Sequence, residues 1–193
     1  MKRLFLAVSC SFALIAGTTV AFAEAPDAMH ASGGVGFHDS SAPLGLRWWL
    51  GGQKVGIDVG LGFSSTPSAI DSKEKETGWA IDLGVPLVLH SWQAAHVLFR
   101  PGLLYQSQEI GFDADPTTPG VQFDTEKQTT TRVQAELEAE IFVRDNVSVS
   151  ASHGIAFESF DPGFGADSES SFGTIGHNFT TIGFHVYFLG GPH

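Results

Sequence analysis

Cysteine is nearly missing from this chain. Its one cysteine, Cys10, lies in the N-terminal stretch, so no disulfide can hold the remainder together. Basic residues are scarce as well: 10 lysines and arginines stand against 21 aspartates and glutamates. That balance excludes nucleic acid as a partner, because phosphate recognition needs clustered cations. Beyond residue 23 no stretch approaches the 18 or so apolar residues of a membrane-spanning helix. The glycines open no phosphate-cradling loop: Gly33-Gly34-Val35-Gly36 and Gly60-Leu61-Gly62 lie in strand-like surroundings with no helix after them. The histidines (His30, His38, His90, His96, His153, His177, His185 and His193) show neither a His-x-His nor a His-x-x-x-His spacing, so no metal centre and no cofactor is expected.

What is present begins with an N-terminal export signal. Lys2 and Arg3 give a positive start, Leu4 to Val20 is uncharged, and Ala21-Phe22-Ala23 has the small-x-small spacing that a signal peptidase cleaves. A retained membrane helix is the alternative, and Glu24-Ala25-Pro26-Asp27 directly after the cleavage pattern argues against it. A lipoprotein anchor at Cys10 fails, because the apolar stretch before it is too short and the lipobox leucine is missing. The expected organisation is therefore a cleaved signal peptide over 1–23 and one domain over 24–193. Without Lys2 and Arg3, 8 basic residues face 21 acidic ones, a formal charge of −13.

The dominant pattern in the mature part has period two. Val55, Ile57, Val59, Leu61 and Phe63 share one face, with Gly56, Asp58, Gly60 and Gly62 opposite. Trp79 to Leu89 repeats this with Ala80, Asp82 and Gly84 on the second face. Val133, Ala135, Leu137, Ala139, Ile141 and Val143 alternate with Gln134, Glu136, Glu138, Glu140 and Phe142. Sustained alternation specifies strand, not helix. It predicts eight strands, near 31–38, 43–51, 54–64, 77–89, 94–107, 128–143, 147–158 and 176–189. Pro86 and Pro101 fall inside two of them, where neither can donate a ladder bond.

The joins alternate in length. Gly52-Gln53, His90-Ser91-Trp92 and Arg144-Asp145-Asn146 are tight, whereas 65–76, 108–127 and 159–175 are long, and Asp39 to Ala42 is short. Tight turns at one end and long loops at the other are the arrangement of an outer-membrane barrel. The long loops carry Glu109, Asp113, Asp115, Asp124, Glu126, Asp161, Asp167 and Glu169.

A soluble sandwich alternates too, so three further features decide. The polar face carries charges at mid-strand: Arg47, Asp58, Asp82, Arg100, Arg132, Glu136 and Glu138. Centring the tight turns on Gly52-Gln53, Ser91 and Asp145 sets Arg47 opposite Asp58, Trp48 opposite Ile57, Asp82 opposite Arg100, Glu138 opposite Ser152 and Val143 opposite Val147. Such pairs suit a narrow lumen, where an unpaired charge is costly; on a soluble sheet they would be solvated salt bridges. Aromatics gather near the strand ends, as interfacial girdles do. Trp48 and Trp92, with Trp49, Phe142, Tyr187 and Phe188, lie at the tight-turn end; Trp79 and Tyr105, with Phe63, Phe157 and Phe160, lie at the other. Finally, Thr181-Ile182-Gly183-Phe184-His185-Val186-Tyr187-Phe188 resembles the C-terminal signal that the barrel-assembly machinery of outer membranes reads, on Thr181, Gly183, Val186 and Phe188. That signal ordinarily ends a chain, and here Leu189-Gly190-Gly191-Pro192-His193 follows it.

Together the mature chain resembles the small eight-stranded outer-membrane barrels of the OmpA and OmpX type, in architecture and not in residue identity. The resemblance implies a closed antiparallel up-and-down transmembrane β-barrel with no continuous pore. It implies residence in the outer membrane of a Gram-negative-type bacterium as a monomer. Its partners would be outer-membrane lipid, lipopolysaccharide and the assembly machinery. Fold does not fix role within such a group.

Candidate chemistry is thin. His153 falls by parity on the lipid face, between Ala151 and Ile155. A lipid A deacylase would place a serine two residues after such a histidine; Ile155 stands there, and only Glu158 offers an acid. His96 and His185 face the lumen by parity. Asp113-Ala114-Asp115 and the acids from Asp161 to Glu169 offer oxygen ligands to Ca²⁺ or Mg²⁺ but lack the ordered spacing of a calcium loop. No catalytic residue is assigned. The expected function is a non-enzymatic barrel with a structural or surface-interaction role through its acidic loops. The alternatives are a barrel passing small solutes or ions, a lipid-modifying enzyme, and a soluble periplasmic ligand-binding barrel.

Overall fold

The fold is known from a computed structural model that describes residues 33–50, 54–69, 74–92, 94–113, 123–174 and 180–189. Residues 1–23, where a signal peptide is expected, Gly52-Gln53, where a tight turn is expected, and Asp115 lie outside the described residues.

The described residues form ten strands in one antiparallel sheet: β1 (Gly33–Phe37), β2 (Leu44–Trp49), β3 (Gly56–Pro67), β4 (Lys75–Gly84), β5 (Leu87–Trp92), β6 (Ala95–Asp113), β7 (Phe123–Arg144), β8 (Val147–Asp161), β9 (Glu169–Gly173) and β10 (Thr180–Leu189). β10 pairs with both β1 and β8, so the sheet closes on itself. The result is a closed antiparallel barrel of eight walls in up-and-down order. Two walls are interrupted. β4 and β5 both pair with β6 and are separated by Val85-Pro86; β9 and β10 both pair with β8. Pro86 breaks the fourth wall because it has no N–H to give the ladder. Its carbonyl still accepts from the Gly56 N–H at 2.8 Å, and Val85 N–H donates to the Pro101 carbonyl at 3.0 Å, so the break stays sealed.

The registers expected across two of the three tight turns are found over most of their length. Arg47 stands opposite Asp58 and Trp48 opposite Ile57. Glu138 stands opposite Ser152, although a bulge between Phe142 and Arg144 makes Arg144, not Val143, the partner of Val147. The expected pairing of Asp82 with Arg100 is not found. Trp92 pairs with Ala95, so the chain reverses beyond Ser91, and a register shift between Val88 and His90 takes back one residue of that offset. Asp82 consequently faces Leu104. The long joins are also shorter than expected. β6 continues to Asp113 and β7 begins at Phe123, so most of 108–127 is a strand pair. β3, β4, β8 and β9 likewise extend into 65–76 and 159–175. Between β8 and β9 the turn uses Gly163, Phe164 and Gly165 with positive φ; Phe164 is held there with its ring 5.0 Å from Phe112.

Side chains sort by parity, and the apolar set faces out. Leu46, Ile57, Leu61, Leu83, Leu137, Ile155 and Ile182 are exposed, whereas Arg47, Asp58, Arg100 and Glu138 are buried. On β7 the outward residues from Val133 to Val143 are all apolar, then change to Thr131, Thr129, Lys127 and Thr125. β8 repeats this from Val147 to Phe157, broken only by the exposed His153, and turns polar at Ser159. β6 does so from Ala95 to Tyr105 and turns polar at Ser107. Each run matches the roughly 9–11 residues that a tilted strand needs to cross hydrocarbon.

Of the predicted girdle residues, Trp48, Trp79 and Trp92 are exposed on the outer face, with the Tyr105 ring 5.2 Å from Trp79. Trp49, Phe142 and Tyr187 do not join them: parity turns them inward, where they are buried with Leu98. Phe160 also points inward.

Candidate functional site

The inner face of β7 gives the order of layers, because every second residue steps about 7 Å along the barrel. Phe142 lies at the tight-turn end, followed by Glu140, Glu138, Glu136, Gln134, Arg132 and Thr130. The lowest layer is an apolar plug of Trp49, Leu98, Phe142 and Tyr187, with Val88 packed against it.

Above the plug lies an ion-pair network. Arg47 makes two bidentate contacts. Its Nε and Nη2 donate to Asp58 Oδ1 and Oδ2 at 2.8 Å each, and its Nη1 and Nη2 donate to Glu138 Oε1 and Oε2 at 3.0 and 2.9 Å. Arg100 donates from Nε to Asp58 Oδ2 at 2.8 Å and from Nη2 to Asp82 Oδ2 at 2.5 Å, and its Nη1 lies 3.6 Å from Glu136 Oε2. Both guanidiniums are fully enclosed. The fork of an arginine suits paired carboxylates, and desolvation makes each such contact stronger than it would be in water. The Arg100–Asp82 contact forms despite the lost register because the long side chain lies over Gly84, where a Cβ would overlap the guanidinium.

Of the seven charges singled out in the sequence, six converge: Arg47, Asp58, Asp82, Arg100, Glu136 and Glu138. Arg132 stands apart, higher in the barrel, donating from Nε to Glu158 Oε2 at 2.8 Å. Sequence reasoning left out three members. Glu140 accepts from Ser148 Oγ at 2.6 Å and from the Tyr187 hydroxyl at 2.7 Å. His38 Nε2 lies 3.1 Å from Glu136 Oε2. Glu158 holds Arg132. Parity placed Glu140 beside Glu138, so that signal was available; His38 lies just past the end of β1, and no pattern marks it. His96 and His185 do enter the lumen, 3.6 and 3.8 Å from the Glu140 carboxylate.

His38, Asp58 and Glu138 bring potential ligand atoms within 4.8 Å of one another. Both carboxylates are already bound by Arg47, so a cation would have to displace a guanidinium. The cluster is built as an ion-pair network and not as a metal site. The deacylase-like pair does not assemble either, because His153 is exposed outside while Glu158 points into the lumen.

The residues expected to form an assembly signal, Thr181, Gly183, Val186 and Phe188, lie in β10, which closes the barrel. Thr181 hydrogen-bonds Ser152 of β8, and Gly183 lies where a Cβ would press on Ser150 Oγ and the Phe37 carbonyl. Val186 pairs with Val35, and Phe188 is exposed. On the outer face Phe184 stacks on Phe37, with ring centroids 6.5 Å apart across the closing seam.

At the opposite end from the plug the lumen widens into a vestibule of about 600 Å³, lined among the described residues by β6, β7, β8, β9 and the β1–β2 join. Among the described residues, most acids expected in loops stand on strands: Glu109, which accepts from the Thr77 hydroxyl, and Asp113 in β6, Asp124 and Glu126 in β7, Asp161 in β8 and Glu169 in β9, whereas Asp167 lies in the join between β8 and β9 as expected. Compared with known proteins, the chain matches no family model, no curated protein and no solved structure.

Proposed function

We propose that this protein is an outer-membrane β-barrel of the small eight-stranded type, exported by the signal at 1–23, non-enzymatic, with a structural or surface-interaction role. One observation carries the reading: the barrel is inside out for a soluble protein. Apolar side chains cover its outer wall in a band one hydrocarbon core tall, and charges fill its centre. Soluble monomers rarely expose an apolar patch larger than a few hundred Å². In lipid that same surface is the favourable one, and the pairing of β10 with both β1 and β8 removes the open edges that an unclosed sheet would leave in hydrocarbon.

The layered lumen supports a closed barrel over a conducting one. A permeating ion would have to cross both the apolar plug and the doubly bonded Arg47. The acidic strand extensions above the band supply the surface that would meet partners.

Cell fractionation with gel mobility before and after boiling tests the proposal. The mature protein is expected in the outer-membrane fraction, with the unboiled form migrating differently from the boiled one. Recovery of mature protein from the soluble periplasm would overturn it.

A further inference from the structure

The vestibule above the ion pairs goes beyond the reading just given, and its chemistry does not depend on where the barrel resides. Its volume of about 600 Å³ lies within the roughly 300–1,000 Å³ of small-molecule sites. It is a cup and not a passage, since the ion-pair network and the plug close its floor.

The lining narrows the class of ligand. Asp39, Glu158 and Glu169 outnumber Arg132, which already gives Nε to Glu158, so an anion would meet excess negative charge. An acyl chain would cover the Gln106 and Gln108 amides and the hydroxyls of Ser41, Thr130 and Ser170 without satisfying them, which is costly. A small cation would need carboxylates that converge. Glu158 is held by Arg132, and the buried Asp39 accepts from the Ser41 N–H at 2.7 Å.

What remains is a wall of mixed donors and acceptors facing one aromatic ring. Phe160 points inward at a level where the other lining groups are polar. A ring there offers a flat apolar face, while Gln106, Gln108, Arg132 and Glu158 offer directional partners around it. A pyranose has this division, with C–H groups on one face and hydroxyls at the edge. We propose that the vestibule binds a neutral mono- or disaccharide, stacked on Phe160 and hydrogen-bonded by Gln106 and Gln108.

The test is isothermal titration of the full mature chain, folded in lauryldimethylamine oxide, a detergent without a sugar headgroup. The probes are glucose, galactose and maltose, with sodium phosphate and spermidine as charged comparators. Saturable binding of at least one sugar is expected. Phe160→Ala and Gln106→Leu should each weaken it by about fivefold or more, the scale of one lost hydrogen bond or ring contact. Leu137→Ala, on the outer wall, should not. Both vestibule variants must keep the heat-dependent gel shift, so that lost binding is not lost folding. Three results would overturn the proposal: no saturable signal with any sugar, binding unchanged in both folded variants, or tighter binding of phosphate or spermidine. Failure here leaves the membrane reading untouched, since that rests on fractionation.

Discussion

At the scale of single residues, Gly84 and Arg100 show how the lumen is assembled. Arg100 reaches Asp82 only because Gly84 has no side chain in its path. Gly84→Ala therefore pushes the guanidinium away and leaves Asp82 short of its partner. Arg100 keeps Asp58 as a partner, so the cost is that of one buried carboxylate left short of a donor, about 1–3 kcal/mol. A urea titration of the refolded protein should show a clear fall in unfolding midpoint for Gly84→Ala; an unchanged midpoint would mean that Arg100 finds an equally good position. Arg47 gives a second case. Arg47→Met removes the guanidinium that holds Glu138 and one of the two that hold Asp58, and it should destabilise the barrel more than Glu138→Gln, which keeps both Arg47 and its bonds to Asp58. The same two titrations rank them.

At the scale of elements, the tight-turn ends of β2, β6, β7 and β10 donate Trp49, Leu98, Phe142 and Tyr187 to the plug. Their position at strand ends made Trp49, Phe142 and Tyr187 look like girdle aromatics. Parity alone distinguishes them from Trp48 and Phe188, their immediate neighbours. If the plug closes the lower lumen, the wild type should give no discrete current steps in a planar bilayer. Trp49→Ala combined with Phe142→Ala should then permit brief openings. Steps already present in the wild type would contradict the closed reading. The double variant should also lose stability, since each large-to-small change in a packed core costs about 3–5 kcal/mol.

For the whole molecule, the test is the outer wall. Leu137 is 58% exposed near the middle of the apolar run on β7, whereas Thr129 lies beyond its edge. In lipid vesicles Leu137→Arg should cost about 2–4 kcal/mol of unfolding free energy, and Thr129→Arg close to nothing. On a soluble protein both would be surface changes within about 0.5 kcal/mol. Equal, small effects in vesicles would therefore count against a lipid-facing wall.

Alternation along each strand was enough to specify strands and the sorting of their faces, because side-chain period is a local property of extended backbone. A sandwich would alternate too, and the mid-strand charges, the strand-end aromatics and the ending of the last strand were needed to choose a barrel. Arg47 opposite Asp58 was legible for a related reason, since a tight turn fixes the register of the two strands it joins. The Asp82–Arg100 geometry was not, because the Val88/His90 irregularity and the later reversal leave no mark that periodicity detects. Closure decided the rest. Arg47 of β2 meets Glu138 of β7, and Arg100 of β6 meets Asp58 of β3, across a lumen that exists only once β10 has joined β1 to β8. Contacts between strands that are neighbours neither in sequence nor in the sheet depend on barrel diameter and tilt, and those are properties of the closed sheet as a whole.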